Sequence, residues 1–240
     1  MTGGSRGIGA ATARRLAAAG HDVAISYLRE AGAAEAVTGA VTALGRRCVA
    51  VPTDTSVDTD VERLFDTAVE KLGPVTGLVN NAGITSPLGR LVDLDPADLR
   101  RVVEVNVIGY LLCARRAARE MAAGGGGAIV NVSSAAATLG SPGEYVHYAA
   151  SKAAVDTLTI GLAKELAADR IRVNAVSPGI VRTEIHARES ADPGRLDRLA
   201  PGIPLGRPAE PDEIAAPIVW LLGPDASYTT GAVLRVAGGR

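Results

Sequence analysis

The sequence predicts an α/β fold in which a doubly wound parallel sheet carries helices on both faces. Short apolar runs alternate with longer segments of helical spacing, and a glycine-rich turn directly precedes the first helical segment. Such alternation is typical of βαβ units, whose crossover helices cover a buried parallel sheet. The chain has 240 residues, 47% hydrophobic and 21% charged, which favours one domain over 1–240 and excludes a disordered chain.

Each predicted element rests on its own pattern. Buried strands are expected where the apolar runs are short, and helices where apolar residues recur at helical spacing over several turns. Pro96 and Pro211 fit the first turn of a helix. The predicted strands are Asp22–Tyr27, Arg47–Val51, Gly77–Val79, Ala128–Val132, Arg172–Val176 and Val233–Val236. The predicted helices are Ile8–Ala19, Ala31–Leu44, Asp58–Leu72, Pro96–Ala123, Tyr145–Ala168 and Pro211–Leu222.

Composition excludes several functional classes. The formal net charge of -1 predicts neither a nucleic acid partner nor an anionic membrane partner. No apolar stretch approaches the roughly 20 residues that cross a bilayer, and no secretory signal is visible. Two cysteines, Cys48 and Cys113, make no disulfide framework and have no metal-ligand spacing, so no metal site is predicted. We expect a cytoplasmic protein.

The predicted sheet lacks one strand that this fold requires. A glycine-rich phosphate loop normally follows a strand, but here the loop begins at Thr2. The absent first strand would lie between the strands that end at Tyr27 and Val79, so two strand edges should be unpaired. We therefore expect the start of the sequence to be misassigned or truncated.

The loop TGGSRGIG at 2–9 is the candidate phosphate site. Glycines at these spacings allow a tight turn, let backbone N–H groups approach a pyrophosphate, and point a helix N-terminus at the anion. An ordinary glycine-rich loop is the alternative. The candidate cofactor contacts here are Gly3, Ser5, Arg6, Gly7, Ile8 and Gly9.

The end of the following strand distinguishes NADP from NAD. An NAD site would present a carboxylate to the ribose 2′-hydroxyl, but none precedes Glu30 after Tyr27. Arg6 and Arg29 could instead hold a 2′-phosphate through charge-assisted hydrogen bonds. A solvated surface charge is the alternative for Arg29. The sequence thus favours NADP, with NAD less favoured.

The catalytic candidates are Tyr148 and Lys152, with a hydroxyl from the end of the fifth strand. Residues four apart share a helix face, so the Lys152 ammonium should lie beside the Tyr148 phenol. A nearby cation favours phenolate and makes a tyrosine usable as an acid or base near neutrality. Ser133 or Ser134 could hydrogen-bond a substrate carbonyl at the sheet edge where ligands bind. Asp54 could likewise accept a hydrogen bond from an adenine amino group.

Seven motifs together resemble the short-chain dehydrogenase/reductase family. They are TGGSRGIG at 2–9, Asp54, NNAG at 80–83, VNVIG at 105–109, NVSS at 131–134, YAASK at 148–152 and NAVSPG at 174–179. They occur in this order over nearly the whole chain, and the ordered set is far more specific than any one of them. The resemblance implies a Rossmann-like fold.

The resemblance also implies roles for individual residues. Tyr148 would be the general acid or base, Lys152 would lower its pKa and hold the nicotinamide ribose, and Ser134 would orient the substrate oxygen. Asn106 would maintain the backbone and water of a proton relay, and Thr183 would hold the nicotinamide carboxamide. The further cofactor contacts implied are Thr55, Asn81, Ala82, Gly83, Pro178, Gly179, Ile180 and Val181.

The implied activity is hydride transfer between a nicotinamide and a small carbonyl, sugar or other secondary alcohol. Residues 184–207 would form a lid over the substrate, and a homotetramer or homodimer is expected through apolar helices at Ile108–Met121 and Val155–Leu166. Two alternatives remain open. One is a nucleotide-binding regulator without turnover, and the other is an epimerase or dehydratase on the same fold.

Overall fold

The computed structural model describes residues 1–85, 87–184 and 194–240. The strands are β1 (Val23–Tyr27), β2 (Cys48–Pro52), β3 (Gly77–Asn80), β4 (Gly127–Val132), β5 (Ile171–Pro178) and β6 (Val233–Val236). The helices are α1 (Gly7–Ala18), α2 (Ala31–Ala43), α3 (Asp58–Leu72), α4 (Pro96–Val103), α5 (Gly109–Gly124), α6 (Ala136–Leu139), α7 (Val146–Glu165), α8 (Arg195–Leu199) and α9 (Pro211–Leu222). Short 3-10 turns occur at Leu91–Asp93, Ala167–Asp169, Ala200–Gly202 and Pro224–Ala226.

Helices cover both faces of parallel sheets, as predicted. All strand pairs are parallel, with β1 beside β2 and the remaining strands in the order β3-β4-β5-β6. The apolar sides of α1, α2 and α9 pack on one face, and those of α3, α5 and α7 pack on the other. The predicted α/β fold class is therefore confirmed. None of the described helices is both long and apolar enough to span a membrane.

The segment predicted as one helix over Pro96–Ala123 is instead interrupted by a π-helical turn at Glu104–Ile108. A π-turn widens the helix by one residue and commonly marks a functional position. Its centre is Asn106, which is fully buried and whose side-chain amide bonds to the backbone of Ile84, after β3. The prediction of an uninterrupted helix was therefore wrong, because this long-range contact leaves no periodic signal in the sequence.

The sheet is divided between β1 and β3, where the sequence led us to expect two unpaired edges. Hydrogen bonds of residues 1–4 bridge the division. The Met1 amino group donates to the Ala24 carbonyl at 2.6 Å, and its carbonyl accepts from the Ser26 N–H at 3.0 Å. The Thr2 N–H donates to the Val79 carbonyl at 2.9 Å. These bonds set the glycine-rich loop at the carboxyl end of the division.

Behind Met1 the division is a cavity of about 570 Å³. Apolar side chains from both helical layers line it, among them Leu16, Phe65 and Leu222. In a parallel strand, the backbone N–H and C=O groups of every second residue point to the same side. The N–H and C=O groups of Ala24 and Gly77 therefore point toward the cavity. The cavity thus has the apolar walls and the hydrogen-bonding edges of a strand position.

An engineered extension of about five apolar, β-branched residues ahead of Met1 should fill this cavity as a parallel strand. Because it would pair both edges and bury its side chains, we expect the melting temperature to rise by about 5 to 10 °C. Thermal unfolding followed by circular dichroism measures the change. An extension of equal length made of alternating Gly and Asp is the control, and an equal rise with both extensions would contradict the prediction.

Candidate active site

A cleft of about 340 Å³ lies at the carboxyl edge of the strands. It collects nearly all of the residues that the sequence singled out. Those that line it are Gly3, Ser5, Arg6, Gly7, Ile8, Tyr27, Asp54, Thr55, Asn81, Ala82, Gly83, Ser134, Tyr148, Lys152, Pro178, Gly179, Ile180, Val181 and Thr183. Gly9, Arg29 and Asn106 lie outside its lining. Of the lid predicted at 184–207, residues 185–193 lie outside the described residues, whereas Glu184 and Arg195 line the cleft.

The glycine-rich loop forms the floor of the cleft where α1 begins at Gly7. Gly3 and Gly7 adopt φ of +62° and +51°, in the left-handed region that favours glycine. A Cβ on Gly9 would lie 2.1 Å from the Gly3 carbonyl oxygen, so this position admits only glycine. The role of Gly9 is therefore to let the loop close against α1, although it does not face the cleft.

Thr2 and Asn81 fasten the loop to the end of β3. The Thr2 hydroxyl accepts hydrogen bonds from the N–H groups of Asn81 and Ala82, at 2.9 and 3.0 Å. The Asn81 side-chain amide donates to the carbonyls of Thr2 and Gly3, at 3.1 and 2.9 Å. The loop is thus fixed before any ligand binds. We did not single out Thr2 from the sequence, because a threonine at the edge of a loop carries no distinctive signal.

The two basic residues expected near a 2′-phosphate are placed differently. Arg6 lines the cleft, and its guanidinium donates to both Glu30 carboxylate oxygens at 2.8 Å. The two side chains are 39% and 37% exposed, so their ion pair is partly solvated. Arg29 is exposed and does not line the cleft. Glu30, which follows it, is the unforeseen partner that orients Arg6.

Asp54 lines the cleft with both carboxylate oxygens engaged. One oxygen accepts from the Ser56 N–H and hydroxyl at 3.0 and 2.6 Å, and the other accepts from the Arg101 guanidinium at 2.7 Å. Burial alone would raise the pKa of Asp54, but the hydrogen bonds from Ser56 and Arg101 outweigh burial and lower it. The carboxylate therefore stays ionised and can accept a further bond only through remaining lone pairs.

Lys152 lies at the base of the cleft, 3% exposed. Its ammonium donates to the Val132 carbonyl at 2.8 Å and to the Tyr110 hydroxyl at 3.2 Å, and lies 5.7 Å from the centre of the Tyr148 ring. Burial lowers the pKa of Lys152 from 10.5 to about 7, and the nearby Asp156 carboxylate opposes this. Lys152 can therefore exchange a proton near neutral pH.

The two serines that follow β4 make different hydrogen bonds. Ser133 is buried, and its hydroxyl donates to the Lys152 carbonyl at 3.2 Å, which ties β4 to α7. Both serines line the cleft, but Ser134 is less buried, and its hydroxyl oxygen accepts from the Ala136 N–H at 3.2 Å. An acceptor bond leaves the Ser134 proton available for an oxygen in the cleft. The geometry therefore favours Ser134 over Ser133 as the substrate contact.

Asn106 links three elements around the cleft. Its amide oxygen accepts from the Ile84 N–H at 2.9 Å, while its amide nitrogen donates to the Ile84 carbonyl at 2.8 Å and to the Ser151 hydroxyl at 3.0 Å. The Ser151 hydroxyl in turn donates to the Tyr148 carbonyl at 2.7 Å. Asn106 therefore fixes the chain after β3 against the helical turn that carries Tyr148.

Known proteins resemble this one over nearly the whole chain. Residues 3–240 match a family model described as enoyl-(acyl carrier protein) reductase. The oxidoreductase YgfF of Escherichia coli K12 is 47% identical, covering 100% of this chain and 98% of that one. Cis-4-hydroxycyclohexanecarboxylate dehydrogenase of Sinomonas cyclohexanicum is 42% identical, and the match covers 100% of this chain and 94% of that one. The solved structure of a Burkholderia cenocepacia short-chain dehydrogenase in complex with NADP has a TM-score of 0.92 and 38% sequence identity. The match covers 100% of this chain and 95% of that one.

The chain therefore belongs to the short-chain dehydrogenase/reductase family, as the motifs had led us to expect. It is an oxidoreductase of that family.

Proposed function

We propose that the protein interconverts a small carbonyl compound and its secondary alcohol, with NADP preferred to NAD. The observation that carries this proposal is one shared cleft. The Tyr148 phenol, the Ser134 hydroxyl and the Lys152 ammonium line it together with the glycine-rich loop at the start of α1. A positioned acid, a hydrogen-bond donor and a pyrophosphate cradle are the parts that metal-free carbonyl reduction requires.

The residues of the cleft fit a nicotinamide dinucleotide. The loop that closes at Gly3 and Gly7 brings backbone N–H groups and the N-terminus of α1 to one point, which suits a pyrophosphate. A Cβ on Gly7 would lie 3.1 Å from the Thr183 side chain, so Thr183 packs against the loop at one edge of the site. Tyr27 and Asp54 would flank the adenosine, and Pro178–Thr183 would place the nicotinamide.

When bound, the cofactor supplies or accepts the hydride. In carbonyl reduction the Tyr148 hydroxyl gives its proton to the substrate oxygen as the carbon gains the hydride, so the C=O electron pair becomes the new O–H bond. Ser134 donates a hydrogen bond to the same oxygen and aligns it. Alcohol oxidation reverses these steps, and the Tyr148 phenolate then takes the proton.

Lys152 would support Tyr148 through its charge. A cation beside a phenol favours the phenolate, and buried charges interact more strongly than exposed ones. Because the pKa of Lys152 is about 7, the ammonium and the amine are both populated near neutrality. The charge of Lys152 would therefore support the Tyr148 phenolate less as the pH rises above neutrality.

The preference for NADP rests on Arg6. Arg6 and Tyr27 line the same cleft, and the Arg6 guanidinium is already oriented by Glu30. Because this ion pair is partly exposed, a 2′-phosphate could replace the carboxylate at little cost. The Burkholderia cenocepacia relative, which binds NADP, supports the same preference.

Arg6→Gln should lower kcat/KM with NADPH about 10- to 100-fold, because one charge-assisted hydrogen bond is worth about 1.5 to 3 kcal/mol. The value with NADH should change less than threefold. Arg29→Gln is the matched control, since Arg29 is exposed and lies outside the cleft. Initial rates with both cofactors measure the effect, and equal losses with NADPH and NADH would refute the role of Arg6.

A panel of small ketones, aldehydes, sugars and secondary alcohols, followed at the nicotinamide absorbance, tests the proposed activity. NADPH and NADH are run in parallel. We expect turnover of at least one carbonyl–alcohol pair, with NADPH the faster cofactor. Tight nucleotide binding without turnover of any member would favour a regulator, and copurified NAD would favour an epimerase or dehydratase.

We further propose a single domain over 1–240, a lid at about 184–207, and a homotetramer or homodimer. Assembly is supported by exposed apolar side chains on the segments that carry the site, namely Ile108, Leu111 and Ile160. The free thiols of Cys48 and Cys113 are consistent with a reducing, cytoplasmic location. Sedimentation velocity tests the assembly, and a monomer at micromolar concentration would count against it.

A further inference from the structure

Tyr110 is a buried tyrosine beneath the active site to which none of the roles above applies. It lies in the first turn of α5, directly after the π-helical turn that contains Asn106, and is 2% exposed. The Asn80 side-chain amide donates to its carbonyl at 3.3 Å, which helps fix its backbone. A phenol so deeply buried must have its hydroxyl satisfied within the protein.

The Tyr110 hydroxyl contacts both the Lys152 ammonium and the Val132 carbonyl to which that ammonium donates. It donates to the Val132 carbonyl at 2.9 Å and accepts from the Lys152 ammonium at 3.2 Å. The ammonium also lies 4.8 Å from the centre of the Tyr110 ring. Tyr110, Val132 and Lys152 therefore form a closed triangle of polar contacts on the buried side of the lysine.

We propose that Tyr110 is a positioning residue. It holds the Lys152 ammonium on its buried side, so that the remaining N–H of Lys152 points into the cleft. An ammonium has three N–H donors. Val132 takes one and Tyr110 takes another, which leaves the third for the side on which Lys152 lines the cleft. This inference rests on the proposed catalytic role of Lys152.

The titratable groups around Lys152 determine how strongly its contact with Tyr110 affects its protonation. Asp156 faces Lys152 from one turn further along α7, Tyr148 faces it from one turn before, and β4 contributes only the Val132 carbonyl. Burial raises the pKa of Tyr110 well above 10, and it raises the pKa of Cys113, on the next turn of α5, to about 12. Both groups are therefore neutral near pH 7, and Tyr110 acts as a hydrogen-bond acceptor for the charged form of Lys152.

Tyr110→Phe removes this acceptor and keeps the ring. The charged form of Lys152 then loses a hydrogen bond that the neutral amine needs less, so its proton affinity should fall at least threefold. A less charged Lys152 stabilises the Tyr148 phenolate less. The pH profiles of both oxidation and reduction should therefore move to higher pH, whereas a merely structural defect would lower the rate equally at every pH.

The titration of Lys152 can be measured directly, without cofactor or substrate. The chain has only three lysines, and Lys71 and Lys164 are exposed. Labelling with 13Cε-lysine gives three NMR signals, and Lys71→Arg and Lys164→Arg assign them. We expect the Lys152 signal to titrate at lower pH in Tyr110→Phe, with the other two unmoved.

Thr159→Val is the matched control. It also removes a buried hydroxyl that accepts from a side-chain N–H, but the partner is Asn131 and not the lysine. Lys152 should titrate there as in the unsubstituted protein. Should Tyr110→Phe not fold, Tyr110→Met keeps an apolar side chain and tests the same loss.

An unchanged Lys152 titration in the folded Tyr110 variant would overturn the proposal. An equal change in Thr159→Val would overturn it as well, because the effect would then be general loosening. Failure of the proposed function gives a different result: no carbonyl would be reduced, while the Lys152 titration would still depend on Tyr110.

Discussion

Tyr148→Phe should lower kcat by about three orders of magnitude, because general acid–base catalysis by one side chain contributes about 10²- to 10⁴-fold. The substitution removes only the hydroxyl. The ring still packs edge-on against Tyr145, with 5.4 Å between the two ring centres. The dissociation constant for NADPH should therefore change less than about threefold. Steady-state rates give the first value and quenching of the single Trp220 gives the second.

Tyr145→Phe is the control for this experiment. Tyr145 also lines the cleft, but four residues further on is Ala149 and not a lysine. We expect its kcat to stay within about threefold of the unsubstituted protein, because its phenol interacts with the Arg195 guanidinium and not with Lys152. Comparable losses in the two variants would show that a tyrosine hydroxyl in the cleft matters for shape and not for proton transfer.

Gly9→Ala should destabilise the protein by about 3 kcal/mol or more. A Cβ at this position would lie 2.1 Å from the Gly3 carbonyl oxygen and 2.9 Å from the Asn81 side-chain nitrogen. Neither atom can move cheaply, because both belong to the hydrogen bonds that fasten the loop to β3. We expect the melting temperature to fall by roughly 6 to 12 °C and NADPH binding to be lost.

Gly39→Ala makes the same chemical change without the clash. Gly39 is exposed within α2, and nothing lies within 4 Å of a Cβ built there. An alanine in a helix is favoured over glycine by about 0.5 to 1 kcal/mol, so this variant should be slightly more stable. Thermal unfolding of both variants decides the matter, and a fall of equal size in each would contradict the account of Gly9.

The predicted strands and most helices appear where the sequence placed them, because their apolar periodicity is local. The π-turn at Asn106 could not be foreseen. It depends on bonds to Ile84, more than 20 residues away, and no pattern within a helix records such a contact.

Within the site, the residues with a motif were found and those without one were missed. Tyr148 and Lys152 share a helix face, so their spacing was informative. Tyr110 reads as an ordinary apolar position, because its hydroxyl acquires meaning only when the fold brings it to Lys152. Glu30 was noted as the first carboxylate after β1, but its pairing with Arg6 across the loop could not be read from the chain.

Deuteride transfer from NADPH that carries deuterium at both positions of nicotinamide C4 tests the central claim most directly. The protein is incubated with the labelled cofactor and a carbonyl compound that it turns over, and the alcohol is analysed by mass spectrometry beside the product of Tyr148→Phe. We expect one deuterium on the carbinol carbon with the unsubstituted protein and almost no product with the variant. An alcohol without the label, or labelled product formed equally fast by Tyr148→Phe, would contradict the account.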